Sequence, residues 1–227
     1  MGMHFGIVAS RVPLGRLLEE LNEAGIALRL VRELAGLDDV PGGNEADYVV
    51  GGERGGATFL IDQSMLISAG RADELAAIAK RTGEMVVGCG AETVSGTYWL
   101  TAFSGARLLR VFWMCHSELT TPFSDGTPLR SEAARRIDGD IDGGGIVAAL
   151  HELGFDYEDW IGVGPFRLFA VERLADPKEQ PLEEAMKEHW ATHQIPPGER
   201  PGLTVVSRRA PGSTPWDGLV RWVRRFF

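Results

Sequence analysis

Residues 97–116, TYWLTAFSGARLLRVFWMCH, give the clearest indication of the fold. Two runs rich in β-branched and aromatic residues, 97–103 and 106–116, flank the dipeptide Ser104-Gly105. Runs of this composition are typical of β-strands, and a polar dipeptide with glycine between them is typical of a two-residue hairpin loop. The stretch therefore predicts an antiparallel hairpin.

A loop at Ser104-Gly105 also fixes the register of the predicted hairpin. It places Trp99 opposite Arg110 and puts Trp99, Arg110 and Phe112 on one face. If helices cover this face, Arg110 should be buried and paired with a carboxylate, and this is the favoured alternative. If the face is open, the three side chains form a patch of aromatic and arginine residues, the types enriched at protein interfaces. Trp99, Arg110 and Phe112 are accordingly the predicted partner-binding residues.

The rest of the chain alternates strand-like and helix-like segments. Before the hairpin, the patterns predict a strand–helix–strand unit over 4–34, a glycine-rich hairpin over 48–61, a helix over 72–80 and a strand over 85–89. After it, they predict a loop over 118–130, a helical turn at 131–135, a helix over 146–153, a strand over 166–171, a helix over 182–193, a strand over 203–207 and a helical tail over 215–227.

These segments predict an α+β protein. Its sheet should be mixed but largely antiparallel, with helices packed on it, opening with a β-α-β unit and ending with a C-terminal amphipathic helix. Residues 1–195 are expected to form a single domain, and residues 196–227 an appendage that docks on it.

Composition narrows the function classes. With 44% hydrophobic and 24% charged residues, the 227-residue chain has the composition of a soluble globular protein. A net charge of −9 argues against nucleic-acid binding and suits a basic protein partner. No apolar run approaches the length of a membrane span, so we expect a cytoplasmic protein. Cys89 and Cys115 lie in strand-like runs and are expected to be buried free thiols.

The stretch 136–146, RIDGDIDGGGI, resembles the start of a calcium loop. Asp138, Asp140 and Asp142 stand where the first three ligands of such a loop stand. Position 12 of the loop, however, is Ala149, which cannot supply the bidentate carboxylate that calcium requires. The sequence therefore predicts a cap for the following helix, and no metal ion.

His189 and His193 are the second candidate metal ligands. They are four residues apart and would share one face of a helix, but the zincin pattern needs a glutamate where Trp190 stands, and no third ligand can be identified. No nucleophile motif or phosphate-binding loop is present in the sequence either. No cofactor is therefore predicted, and an enzyme is the less favoured interpretation.

The segment 106–153 resembles, over about a fifth of the chain, small bacterial proteins of the toxin-immunity and uncharacterised-domain type. The likeness consists of an arginine-aromatic strand, a loop and a G-x-P-L-x-x-E string, in which the glutamate lies one residue later than in the commonest form. It is carried by Arg110, Gly126, Pro128, Leu129 and Glu132. The resemblance implies an acidic α+β protein that binds a partner without catalysis of its own.

Three hypotheses about function follow. The first is a non-enzymatic protein that binds another protein, as an immunity or accessory factor for a basic partner. The second is an enzyme or small-ligand-binding protein whose pocket includes Asp138, Asp140, His189 and His193. The third is a structural homo-oligomer, for example a homodimer, that associates through the C-terminal helix. Neither nucleic acid nor a membrane is an expected partner.

Overall fold

The computed structural model describes residues 4–41, 48–62, 64–69, 71–92, 96–115, 123–134 and 143–174. Its strands are β1 (His4–Ser10), β2 (Ile26–Leu34), β3 (Tyr48–Arg54), β4 (Ala57–Asp62), β5 (Met85–Glu92), β6 (Thr97–Ser104), β7 (Arg107–Cys115), β8 (Phe123–Gly126) and β9 (Phe166–Leu174). Its α-helices are α1 (Leu14–Glu23), α2 (Ala72–Thr82), α3 (Arg130–Ala134), α4 (Gly143–Glu152) and α5 (Tyr157–Val163).

The described strands form one nine-stranded sheet in the order β2-β9-β3-β4-β1-β5-β6-β7-β8. Helices pack on this sheet, so the α+β prediction is confirmed. Every neighbouring pair among these strands is antiparallel, without the parallel pairing that a mixed sheet would show. A strand, a helix and a strand do form over residues 4–34, but three other strands separate β1 from β2 in the sheet.

The sheet is buried on both faces, which gives two hydrophobic cores. On one face α1 and α2 pack against the strands, with Leu17 and Ile78 fully buried. On the other face α4 and α5 do the same, with Leu150 and Trp160 fully buried. Because side chains alternate along a strand, each central strand contributes to both cores, and its sequence is therefore apolar almost throughout.

Helix α1 begins and ends where the sequence predicts. Pro13 precedes its first turn, and Leu17 and Leu21 face the core at helical spacing. The backbone N–H of Leu14 donates to Oε1 of Glu53 at 2.6 Å, which satisfies one of the free donors at the start of the helix. Gly25 follows the helix with φ +87°, a value that glycine adopts without strain.

The two predicted hairpins have different outcomes. The β3–β4 hairpin forms, as the glycine-rich sequence predicts, and the structure places its turn at Gly55-Gly56, with both residues at positive φ. The β6–β7 hairpin also forms, but its loop is Gly105-Ala106 and not Ser104-Gly105. Gly105 has φ +56° and occupies the first loop position, where a type II′ turn requires glycine.

The predicted register of the β6–β7 hairpin is therefore wrong. Trp99 pairs with Trp113, and Arg110 pairs with Ala102. A bulge next to Phe103 adds one residue to β7 and shifts the remaining pairs further. A loop shifted by one residue exchanges the two faces of a strand, so the shift changes which side chains share a face.

A strand and an α-helix were not predicted from the sequence. Residues 123–126 form the edge strand β8 within the predicted loop, and α5 was not predicted at all. The predicted segments at 182–193, 203–207 and 215–227 lie outside the described residues, as do Asp138, Asp140 and Asp142. Within the described part of the chain, no helix is long and apolar enough to cross a membrane.

Candidate functional site

The predicted partner-binding residues do not share a surface. Trp99 lies on the sheet face that α1 and α2 cover, whereas Phe112 belongs to the core under α4 and α5. Arg110 pairs with Ala102 and lies on the same face as Phe112. Trp99, Arg110 and Phe112 are 2%, 2% and 3% exposed. The prediction of an open patch is therefore wrong. All three side chains are buried, Trp99 on one face of the sheet and Arg110 and Phe112 on the other.

Trp99 is held by residues far from it in sequence. Its indole Nε1 donates to the carbonyl of Ser68 at 3.1 Å. Its ring covers Gly90 on β5, where an added Cβ would lie 2.4 Å from the ring. On its other side it stacks on Trp113, with ring centroids 5.7 Å apart. These contacts satisfy the polar and apolar parts of the indole, so Trp99 acts as a core residue.

Arg110 is buried and paired with a carboxylate, as the covered-face alternative predicts. Its Nε donates to Oε1 of Glu132 at 2.7 Å, and its Nη2 donates to Oε2 at 2.5 Å. Its Nη1 donates to the carbonyl of Asp125 at 2.8 Å. The two side chains are 2% and 4% exposed. This bidentate geometry compensates for the cost of removing both charges from water.

The residues that carry the resemblance to immunity-type proteins cluster around this ion pair. Gly126 on β8 pairs with Arg110 on β7, and the φ angle of Gly126 is +85°. An added Cβ on Gly126 would lie 2.4 Å from the carbonyl oxygen of Leu109. The backbone N–H of Leu129 donates to Oε1 of Glu132 at 3.0 Å. The motif therefore fastens β8 and α3 to the sheet, which is a structural role.

Asp62 is a buried carboxylate that the sequence analysis missed. It is 1% exposed, and its Oδ2 accepts from the backbone N–H of Ile67 at 2.6 Å and of Ser68 at 3.0 Å. Burial raises the pKa of Asp62, although these hydrogen bonds act in the opposite direction. The carboxylate shapes the loop before α2 and, through Ser68, the position of Trp99.

The described core offers no activated nucleophile at Cys89. This thiol is fully buried, as predicted, and burial raises its pKa. Burial and then the nearby Cys89 thiol also raise the pKa of Tyr157. Both groups stay protonated at neutral pH, which opposes nucleophilic chemistry because the thiolate is the reactive form. The side chain of Cys115 lies outside those that the structure describes.

The predicted polar residues of an enzyme pocket cannot be placed. Asp138, Asp140, His189 and His193 all lie outside the described residues. Within the described ranges, no three His, Cys, Asp or Glu side chains are grouped so that they could hold a metal ion.

The β2 edge is the described surface that remains as a candidate site. We use this name for residues 29–32 of β2, Arg-Leu-Val-Arg, on the terminal strand of the sheet. Leu30 and Val31 are 50% and 42% exposed, and they are two of the three large hydrophobic side chains that are exposed in the described residues. The third is Val163 at the end of α5, 65% exposed. Exposed apolar side chains on a terminal strand favour association with another chain, because the backbone groups of such a strand can pair as well.

Charged side chains around the β2 edge are paired within the molecule. Arg29 forms an ion pair with Glu172 of β9. Arg32 donates through Nη2 to the carbonyl of Asp39 at 2.7 Å. Glu33 lies 3.7 Å from Arg167, measured between Oε1 and Nε. A bulge at Val31 interrupts the pairing of β2 with β9, because Leu30 pairs with Phe169 and Arg32 with Leu168.

Charge is distributed unevenly along the chain. Residues 1–174 contain 25 acidic and 15 basic side chains, a net charge of −10. Residues 200–227 contain 6 arginines and 1 aspartate, a net charge of +5. The described part of the protein therefore lies in an acidic portion of the chain, and its long-range field attracts positively charged groups.

Comparisons of the chain with protein-family models, with curated proteins and with solved structures gave no match, so its fold and its surfaces are the basis for inferring a function.

Proposed function

We propose that this is a non-enzymatic protein that binds a basic protein partner through the β2 edge, as an immunity or accessory factor would. The observation that carries the proposal is the exposure of Leu30 and Val31, side by side on the terminal strand of the sheet. The predicted patch at Trp99, Arg110 and Phe112 does not support it, because those side chains are buried.

A terminal strand is suited to protein recognition for a physical reason. Within the described part of the sheet, β2 has a neighbour on one side only, which is β9. The N–H and C=O groups on the other side can pair with an extended segment of a partner, and this pairing supplies affinity. Natural proteins usually protect such edges with charged side chains, proline or a bulge. This edge has Arg29, Arg32 and a bulge at Val31, but the two residues at its centre, Leu30 and Val31, are apolar and exposed.

The charge of the protein favours a basic partner. The net charge of −10 over residues 1–174 would speed the approach of a basic protein and slow that of an acidic one. At the edge itself, Arg29 is paired with Glu172 of β9, and Arg32 donates to the backbone carbonyl of Asp39. The net negative charge of residues 1–174 therefore steers the partner toward the protein. The β2 edge, with Leu30 and Val31, makes the close contact.

The experiment is affinity capture from the source organism with three full-length proteins: wild type, Val31→Lys and Val163→Lys. Both substitutions put the same charge on an exposed apolar position, so Val163→Lys is a matched control. We expect wild type and Val163→Lys to retain the same partner and Val31→Lys to lose it. With the purified partner, Val31→Lys should raise Kd about tenfold or more, because a lysine on a strand edge opposes both pairing and a basic ligand.

Two results would overturn the proposal. One is a partner that wild type and Val31→Lys bind with equal affinity. The other is recovery of no partner together with turnover of a small molecule in a metabolite screen, which would favour the enzyme hypothesis.

A further inference from the structure

The chain continues beyond the described sheet from a point next to the β2 edge. β9 ends at Leu174, which pairs with Ile26, the first residue of β2. The 53 residues 175–227 follow from there. They therefore start beside the one strand that, in the described sheet, has a single neighbour at this end.

Residues 203–207 of this continuation, Leu-Thr-Val-Val-Ser, have the composition of a β-strand. Three of the five are β-branched, and arginines stand close on both sides, at 200, 208 and 209. This is a short apolar strand segment with basic flanks. It has the same chemistry that we propose for the partner of the β2 edge.

The length and direction of the chain allow this segment to reach the edge. A new strand antiparallel to β2 would be parallel to β9, because β9 is antiparallel to β2. A connection between parallel strands requires about a dozen residues or more. Residues 175–202 provide 28. The connection also contains the helix predicted at 182–193, as crossovers between parallel strands usually do.

We propose that residues 203–207 pair with the β2 edge as a tenth strand in the free protein, and that a binding partner replaces them. Pairing of residues 203–207 with the edge concerns the free protein alone, whereas their replacement by a partner rests on the proposed function. Charge supports this occupant, because the +5 of residues 200–227 complements the −10 of residues 1–174. It also accounts for two exposed apolar residues on a terminal strand, because the side chains of a resident strand would pack beside Leu30 and Val31.

Amide hydrogen exchange of the free, full-length protein tests the occupancy directly. The measurement compares β2 with the central strand β1 in wild type, Val205→Pro and Ser213→Pro. Proline at 205 removes a backbone donor and blocks strand pairing, while Ser213→Pro introduces the same residue outside the segment. We expect the β2 amides that point away from β9 to exchange at least tenfold faster in Val205→Pro than in wild type or Ser213→Pro, with β1 unchanged.

Each other result has a defined meaning. Unchanged β2 exchange in Val205→Pro overturns the inference, and so does β2 protection that increases with protein concentration, which would indicate a second copy at the edge. If Val205→Pro also exposes β1, the double variant Val205→Gly, Val206→Gly is measured instead, since glycine weakens a strand without blocking its pairing. Faster exchange confined to β2 then supports the inference, and exchange equal to wild type overturns it.

Failure of this inference is distinguishable from failure of the proposed function. The exchange measurement contains no partner, so it can succeed even when capture by the β2 edge fails. If capture requires the edge and Val205→Pro leaves both β2 exchange and partner Kd unchanged, the edge binds its partner without a resident strand. If Val205→Pro lowers the partner Kd severalfold and exposes β2, both proposals stand.

Discussion

At the scale of single residues, buried charges in this protein hold distant segments together. Arg110 and Glu132 join the sheet to α3. Glu20 is fully buried on α1 and forms two ion pairs. Its Oε1 lies 2.5 Å from Nη2 of Arg16 on the same helix, and its Oε2 lies 2.6 Å from Nε of Arg81 on α2. Such side chains could suggest a catalytic site, but each of these carboxylates is matched by arginine, which is the arrangement expected of a structural ion pair.

Removal of one partner from the Arg110–Glu132 pair should be costly. In Glu132→Ala the guanidinium of Arg110 stays buried without its carboxylate, and we expect a loss of about 3–5 kcal/mol in the free energy of unfolding. Glu172→Ala breaks the ion pair with Arg29, whose members are 59% and 49% exposed, and should cost less than about 1 kcal/mol. Urea denaturation measures both, and equal losses would contradict the structural role of the buried pair.

Asp62 gives a prediction about pH. Burial raises the pKa of Asp62 in the folded state above its value in the unfolded chain, which is about 3.9. The folded state therefore binds more protons between these two values. The stability linked to this group is present below the unfolded pKa and is lost as the pH rises through the folded pKa.

Asp62→Asn removes this titration and keeps an oxygen that can accept from Ile67 and Ser68. The free energy of unfolding of wild type, relative to Asp62→Asn, should therefore fall as the pH is raised from 4 toward 8. Denaturation of both proteins across this range measures the difference. A difference that grows with pH would mean that the backbone N–H donors outweigh burial at this carboxylate.

Sequence reasoning succeeded for these residues where the cause was local. The burial of Cys89 followed from an apolar run, and the need of Arg110 for a carboxylate followed from the cost of burying a charge. The identity of that carboxylate did not follow, because Glu132 is 22 residues away beyond a loop. The environment of Trp99 could not be predicted either, since it is made by Ser68 and Gly90 on other elements.

At the scale of elements, the outcome depended on how strongly the turn was specified. The glycine-rich stretch 51–56 was enough to predict the β3–β4 hairpin, but not which of its residues form the loop. Ser104-Gly105-Ala106 allowed two placements of the β6–β7 loop, and the choice between them depends on the φ angle of Gly105. Helix α5 was missed because it is short and rich in aromatic residues. The side chain of Asp156 accepts from the N–H of Asp159 at 3.1 Å, and an aspartate at this position is a helix start signal that could have revealed it.

The contact between Trp99 on β6 and Gly90 on β5 gives a third prediction. In Gly90→Ala the new Cβ would lie 2.3 Å from the carbonyl oxygen of Phe5 and 2.4 Å from the ring of Trp99. We expect a loss of about 1–3 kcal/mol in stability and a shift in tryptophan fluorescence, because a well-packed core resists added volume.

Gly162→Ala is the matched control for this substitution. The position is exposed on α5, with no atom within 4 Å of an added Cβ, and alanine favours helix. It should change the free energy of unfolding by at most about 0.5 kcal/mol. If Gly90→Ala is tolerated as well as Gly162→Ala, the ring of Trp99 can move away from β5.

At the scale of the whole molecule, composition and element pattern were enough to predict the α+β class but not the sheet. Local turn signals specify hairpins, and the β3–β4 and β6–β7 hairpins were found in this way. The insertion of β9 between β2 and β3 brings together residues more than 100 positions apart, and no local pattern encodes it. The position of β2 at the end of the sheet, and with it the candidate site, could therefore not be predicted.

The net negative charge of residues 1–174 gives a fourth prediction, which concerns the partner proposed above. If charge steers association, raising the ionic strength from 0.01 to 0.15 M should lower the association rate constant about tenfold or more, because the Debye length shortens from about 30 to 8 Å. The dissociation rate constant should change little, since strand pairing and apolar contact hold the complex. Stopped-flow kinetics with the purified partner measures both, and an association rate independent of salt would exclude steering.

The place of β9 between β2 and β3 also has a consequence for synthesis on the ribosome. Residues 26–34 leave the exit tunnel early, but β9, which pairs with β2, is translated some 130 residues later. At about 5–20 residues per second, β2 waits on the order of ten seconds with its apolar residues unpaired. In this interval β2, and the edge of β3 that later pairs with β9, can pair with other chains. Nascent chains stalled before residue 166 should therefore depend on chaperones that recognise extended apolar segments.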